Sequence, residues 1–317
     1  MRSGDALRRS RNCLIELFRQ LARVDHTIMH GHAQTLGNHA APVLHEGDTR
    51  GGQQVSAVAR EHDTVEPAVP DVRQQARMPA TDLSHMRPLG ELVDDAGRGE
   101  LDSNQLTTAF QGLQRRYGAY RVDRVTAEFI PGRSHPDTGD PQPGKIMISA
   151  RITDDNGADI GRLKREFGRD SSGRLFVEHK FMFIKEEFRG QGFATAFSAA
   201  TEQYFRRSGV DRIEVFAFLD DGGVAAAKAG YGWDRRPDLL ADSSANMKTR
   251  IDQFLNGGNG PLSAQDETLL LDMRTRFDQG PDQYPSPQDL IALASDNNPK
   301  LGNQLMRGSV WHGVKKP

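Results

Sequence analysis

The chain has 317 residues, a nearly balanced formal charge of −2 and 36% hydrophobic residues. That length holds two domains or one domain with long appendages, and the charge balance gives no overall bias towards nucleic acid or an anionic membrane. A single cysteine, Cys13, excludes an intrachain disulfide framework and a thiolate metal cluster and suits a reducing cytoplasm, and no apolar run approaches the ~18 residues of a spanning helix.

Residues 1–100 are expected to form a low-complexity, largely disordered segment. They hold seven of the ten histidines (His26, His30, His32, His39, His45, His62 and His85). They are rich in Arg, Gln, Gly and Pro and poor in aromatic and β-branched residues, a composition that buries too little apolar area to offset chain entropy. Leu14–Val24 is the one amphipathic helical piece, suited to packing on the main domain or, through its flanking arginines, to lying on a membrane surface. No cysteine or carboxylate completes a ligand set with His26, His30 and His32, so no metal site is assigned. The Arg-rich start lacks interleaved aromatics, so no nucleic-acid partner is assigned, and no continuous apolar stretch marks a secretory leader.

Residues 101–235 read as an α/β core. Tyr120–Ile130 is rich in strand formers, a Pro/Gly/Asp-rich loop covers Pro131–Gly144, and Lys145–Ile152 alternates apolar and polar residues. Asp154–Gly157 is a hairpin signal, Ile160–Phe167 is the returning strand, Asp170–Gly173 turns again, and Leu175–Ile184 is the next strand. Tight turns make these strands antiparallel neighbours. A helix is expected over Phe193–Arg207, with Phe193, Ala196, Phe197, Ala200 and Tyr204 on its apolar face and Gly209 as its stop. Arg212–Leu219 is a strand, an alanine-rich helix follows, and Tyr231–Trp233 opens another strand.

Residues 236–317 are helical, on balance acidic, and end in a candidate strand. Helical spacing covers Ser244–Leu255, Ala264–Phe277 and Pro287–Ser295, with Ser263 and Ser286 placed as N-caps ahead of Asp266 and Asp289. Gln304–Val314 is expected to form the last strand. The helical stretch then reads as an insertion between the last two strands, roofing an acceptor site with an acidic surface suited to a cationic amine. A separate helical bundle is the alternative.

The chemistry concentrates at Phe181–Ala194. A strand delivers the chain to a glycine loop that opens a helix, so free amides and the helix dipole converge on one spot. Gly190 and Gly192 let an anion approach the backbone, and Arg189 adds a cation. A P-loop needs Gly-Lys-Ser/Thr, which is absent, and a dinucleotide fingerprint needs a third glycine where Thr195 stands. The antiparallel meander upstream also disfavours a dinucleotide fold, although Asp211 and Glu214 lie about 20 residues on, where that fingerprint has an acidic residue. A purely structural glycine turn is the remaining alternative.

The ordered set resembles the GNAT (GCN5-related N-acetyltransferase) superfamily over about Val122–Trp233. Arg189-Gly190-Gln191-Gly192-Phe193-Ala194 matches the family's pyrophosphate pattern, and Ala225–Tyr231 resembles its alanine-rich helix followed by a Gly-aromatic pair. The resemblance implies a mixed, mostly antiparallel central sheet flanked by helices, with acetyl-CoA as the bound cofactor. It also implies that Met182, Phe183 and Ile184 serve the pantetheine arm, that Arg189, Gly190, Gln191, Gly192, Phe193 and Ala194 hold the pyrophosphate, and that the next strand splays away.

By the same resemblance Glu178, four residues before Met182, stands where a base carboxylate would. It is alternatively a solvated strand glutamate or one paired with Lys180. Alternation puts Glu178, Lys180, Met182 and Ile184 on one face and His179 on the other. The family's helix tyrosine is replaced by Ala226, and Tyr231, the nearest tyrosine, is either a catalytic candidate or a core aromatic. The expected function is therefore transfer of an acetyl group from acetyl-CoA to a small-molecule or peptide amine. A catalytically weak accessory module of a larger secreted, phage or effector system is the alternative. The sequence is silent on oligomeric state.

Overall fold

This computed structural model describes residues 81–134, 139, 141–218 and 221–317. All of them fall in one compact unit, Ala68–Pro317. Cys13, Leu14–Val24, His26, His30, His32, His39, His45 and His62 lie outside the described residues.

The described chain begins inside the segment expected to be disordered, and residues 81–100 correct that expectation. Leu83 and Met86 are buried, and helix α1 (Leu89–Gly97) puts Leu89, Leu92, Val93 and Ala96 into the core. Arg207 holds this entrance, donating to the backbone carbonyls of Leu83 and Met86 at 2.8 and 3.2 Å and also to that of Ser84. Tyr204 and Ser208, likewise more than a hundred positions away, also hold this segment, through the carbonyl of Arg87 and the amide of Leu89. Helix α2 (Ser103–Phe110) starts on a capping box between Asp102 and Gln105.

The sheet is built from β1 (Arg116–Tyr117), β2 (Tyr120–Ile130), β5 (Lys145–Thr153), β6 (Asp159–Arg169), β7 (Leu175–Ile184), β8 (Arg212–Ala217), β9 (Gly232–Trp233) and β10 (Trp311–Lys315). Its order is β1-β2-β5-β6-β7-β8-β10-β9, and a separate two-stranded ribbon joins β3 (Arg133–Ser134) to β4 (Pro141–Gln142). All neighbours in the large sheet are antiparallel except β7 and β8. Between these two runs helix α3 (Phe193–Arg207), which buries Phe193, Phe197, Ala200, Thr201, Tyr204 and Phe205. Its end is the expected one: Gly209 takes φ 73° just past the cap.

Helix α4 (Gly222–Lys228) connects β8 to β9. Four further helices follow: α5 (Pro237–Leu255), α6 (Ala264–Asp278), α7 (Pro287–Ile291) and α8 (Leu301–Met306). Ser263 and Ser286 form capping boxes with Asp266 and Asp289, as their spacing predicts. The helix expected from Ser244 starts earlier, because Pro237 at its first turn already has helical φ. The last strand is shorter than expected. Gln304–Met306 close α8, Gly308 turns the chain at φ 71°, and the strand proper is Trp311–Lys315.

β10 pairs on one side with β8, Trp311 opposite Ala217, and on the other with β9, Gly313 opposite Trp233. The helices α5–α8 therefore leave the sheet after β9, and the chain returns between β9 and β8. They are tied to the sheet by apolar and polar contacts. Trp233 packs edge-on against Trp311 and Phe277 and donates Nε1–H to the carbonyl of Pro285 at 2.8 Å. Gln288 donates to the carbonyls of Ala227 and Tyr231 at 3.0 and 2.9 Å.

Candidate coenzyme A site

The parallel pairing of β7 with β8 runs from Phe176/Arg212 to His179/Val215 and ends there. Lys180–Ile184 continue β7 with no partner on the β8 side, while β8 goes on to Ala217 paired only with β10. The two strands part at His179, and the glycine loop lies at the far end of the unpaired stretch.

In that loop Gly190 and Gly192 both have φ 78°, and a side chain on Gly190 would enter open space. Gly192 caps α3 with no side chain serving the first turn. Among the described residues, the amides of Gly190, Gln191, Gly192, Phe193, Ala194 and Thr195 make no hydrogen bond, and the first helical bond is Ala196 N–H to Gly192 O at 3.0 Å. A run of free amides at a helix start, carrying the positive end of the dipole, suits an anionic group such as a diphosphate. Phe193 itself is buried, so only its backbone can serve a ligand, and its ring stacks on Phe197 at 5.7 Å. Arg189 donates to Ile184 O at 2.9 Å and reaches Asp221, at the start of α4, at 3.3 Å. Asp221 also holds Arg307 at 3.1 Å.

The strand face expected from simple alternation is corrected by a bulge. Leu163 opposes Met182 and Lys164 opposes Phe181, but Arg165 opposes His179, so Lys180 is an extra residue on β7. His179, Met182 and Ile184 therefore share the face that α3 covers, while Glu178, Phe181 and Phe183 lie on the other. Phe181 and Phe183 are exposed there.

Glu178 accepts from Lys180 Nζ at 2.8 Å and lies 3.9 Å from Lys145. Its neighbour Glu166 takes Lys145 at 2.9 Å; burial pushes its carboxyl up, but the two lysines more than offset this and hold it below its ordinary range. Tyr231 is buried, its hydroxyl lies 3.0 Å from His179 Nδ1, and Lys315 Nζ sits 4.7 Å from its ring centre. Burial pushes the Tyr231 hydroxyl above its ordinary range. His179 as a residue is only half-buried, but its Nε2 is shut off from solvent with no hydrogen-bond partner. Burial, then the charges of Arg165 and Lys315, drive the imidazole well below its ordinary value, so it is neutral at pH 7. The structure thus brings His179 and Tyr231 together, puts Glu178 on the opposite face, and leaves Ala226, which has no hydroxyl, buried.

A meander of antiparallel strands, one parallel pair that parts half-way, and an amide-lined loop opening the intervening helix define the architecture. The domain has a GNAT-type fold. No protein-family model matches the sequence, and no curated protein matches it. Several solved acetyltransferase structures share limited similarity with the chain. A GNAT family N-acetyltransferase from Escherichia coli, solved with CoA, is 21% identical over 31% of this chain and 49% of its own, with TM-score 0.21. An acetyltransferase of the GNAT family from Staphylococcus aureus is 14% identical over 30% and 58%, with TM-score 0.23. The GNAT domain of an S. lividans protein is 17% identical over 29% and 55%, with TM-score 0.22. The chain spans between 49% and 63% of the length of the acetyltransferase structures it matches.

A cavity of about 500 Å³ lies elsewhere, between α1 and the ends of β2 and β5, against the Asp94–Arg169 ion pair. It touches none of the residues above. Two contributors escape a reading of the sequence. Gly118, at φ 58°, packs its backbone on Gly192, so a methyl there would come 3.1 Å from the Gly192 carbonyl carbon. Arg165 is buried behind the bulge. Neither carries a local signal, since each gains its place only through contacts distant in sequence.

Proposed function

We propose that this domain is an acyl-CoA-dependent N-acetyltransferase that moves an acetyl group from acetyl-CoA to an amine. The observation that carries this reading is the parting of β7 and β8 at His179/Val215, with six free amides at the end of the unpaired stretch. When bound, acetyl-CoA supplies an acyl group already activated as a thioester. Gly190–Ala194 would hold its pyrophosphate through backbone N–H groups, Arg189 would turn from Asp221 to a phosphate, and the unpaired backbone of Met182–Ile184 would take the pantetheine amides, each bond contributing about 0.5–1.5 kcal/mol net. Holding both substrates in line supplies roughly 7–11 kcal/mol of the barrier.

For the base we propose Glu178, one residue from the point of parting and on the face that α3 leaves open. Lys180, donating at 2.8 Å, and Lys145, at 3.9 Å, orient the carboxylate. Helices α5–α8 are proposed to shape the acceptor side, with an amine as the acceptor. Many of their acids are already paired, Asp252 and Asp278 with Arg274 among them, so selection for a polycation is weaker than the acidic composition suggests.

The test is CoA binding by calorimetry, followed by free-thiol release from acetyl-CoA with a panel of amines and peptides. Glu178→Gln is expected to lower turnover at least about tenfold with CoA affinity unchanged. Full turnover in that variant removes Glu178 as the base, and absence of CoA binding removes the whole reading. The missing hydroxyl at Ala226 favours a second reading, a CoA-binding accessory module, which gains if CoA binds but no amine releases thiol.

A further inference from the structure

Arg165 lies on β6 with 3% of its surface exposed, and no carboxylate pairs with it among the described residues. Its guanidinium donates from Nη1 to the carbonyls of Lys164 at 3.0 Å and Phe181 at 2.9 Å, and Nε has no partner. The Phe197 ring lies 5.9 Å below it. The adjoining cavity, about 10 Å³, is lined by Leu113, Ile148 and the rings of Phe167, Phe197 and Phe205 and brings no counter-charge. The other polar groups around it do not neutralise it. His179 is neutral, the Tyr231 hydroxyl is tied to His179, and Lys315 is matched by Glu202 at 2.7 Å. A buried charge left without a counter-ion is costly, and a hydrophobic side chain of similar volume would serve the packing better.

The position of the charge gives it a use. Phe181 is the first residue after the bulge, on the stretch of β7 that β8 has left. Arg165 therefore puts a fixed positive charge one peptide away from the gap between the strands. It also joins this strand to the amide loop through Phe197 and Phe193.

We infer that Arg165 is the positioning residue whose missing counter-charge is the sulfur of coenzyme A, which it holds in the thiolate form as the acyl group leaves. The inference rests on the acetyltransferase reading. In the transfer the amine nitrogen bonds to the carbonyl carbon, the carbon–sulfur bond breaks with its electron pair kept by sulfur, and the proton released by the nitrogen goes to Glu178. Negative charge appears on sulfur, where a charge fixed beforehand acts without reorganising.

The test is an ultraviolet titration of CoA bound to the full chain, taken as a difference from the ligand-free protein so that Cys13 and the tyrosines cancel. The bound thiol is expected to be about tenfold or more acidic than free CoA. Arg165→Met is expected to abolish that gain and to lower turnover, yet to melt no lower than the wild type. Arg165→Lys, which keeps the charge but not the two carbonyl bonds, is expected to retain the acidity while raising KM for acetyl-CoA. Arg165→Gln serves in place of the methionine variant should that fail to fold. CoA bound with an ordinary thiol overturns the inference alone, as does a neutral variant with full acidity. Failure of CoA to bind overturns both this inference and the site reading beneath it.

Discussion

Gly118 and Gly190 take the same left-handed backbone but meet different surroundings. A methyl on Gly190 meets nothing within 4 Å, whereas on Gly118 it meets Gly192 and the amide of Phe193 at 3.1–3.3 Å. Both alanine variants pay about 1–2 kcal/mol for φ above zero. Only Gly118→Ala also pushes on the amide loop, so it should weaken CoA binding about tenfold more than Gly190→Ala, as read by calorimetry; equal affinities would show that the loop is not supported from Gly118. Asp221 acts in the opposite sense, since it holds both Arg189 and Arg307 at the loop's edge. Releasing two exposed cations from one carboxylate is a small effect, about 1 kcal/mol or less. Asp221→Asn should therefore tighten CoA a few-fold, and the gain should shrink with added salt.

At the scale of elements, local signals account for most of what formed. The α6 cap is one example: Ser263 Oγ accepts from Asp266 N–H at 3.1 Å, and Asp266 in turn accepts from Ser295 at 2.6 Å. Ser263→Ala should cost about 1 kcal/mol in a denaturant melt, and no loss would mean the Ser295 contact alone fixes that turn. β2, β7 and α3 were legible because alternation, turn residues and three–four spacing are carried by the segment itself. The bulge at Lys180 was not, because a one-residue slip leaves the composition of a strand unchanged and shows only in its partner's register. The same holds for β10, whose place between β8 and β9 depends on Trp311 packing against Trp233, and for residues 81–100, fixed by Arg207. In the site, the glycines and Arg189 announced themselves through spacing. Arg165, flanked by Lys164 and Glu166, looks like any charged strand residue until its burial is seen.

The molecule as a whole should carry these buried groups into its pH dependence. Asp234 and Glu166 are held below their ordinary range; burial opposes this, but Arg236 in one case and Lys145 with Lys180 in the other prevail. Their stabilisation is complete above about pH 4 and is lost only as acid protonates them. His179 acts at a higher pH. Its imidazole is depressed well below an ordinary value of 6.5, so the unfolded chain binds a proton that the folded chain refuses. Stability must then be full above that value and fall as pH drops below it, by up to about 1.4 kcal/mol per pH unit. Wild-type melts between pH 7 and 5 should show this decline. His179→Gln, which removes the titrating group, should flatten it, while the acid limb near pH 4 stays in place. If both proteins lose stability equally between pH 7 and 5, the imidazole is not held neutral by its burial and by the charges of Arg165 and Lys315.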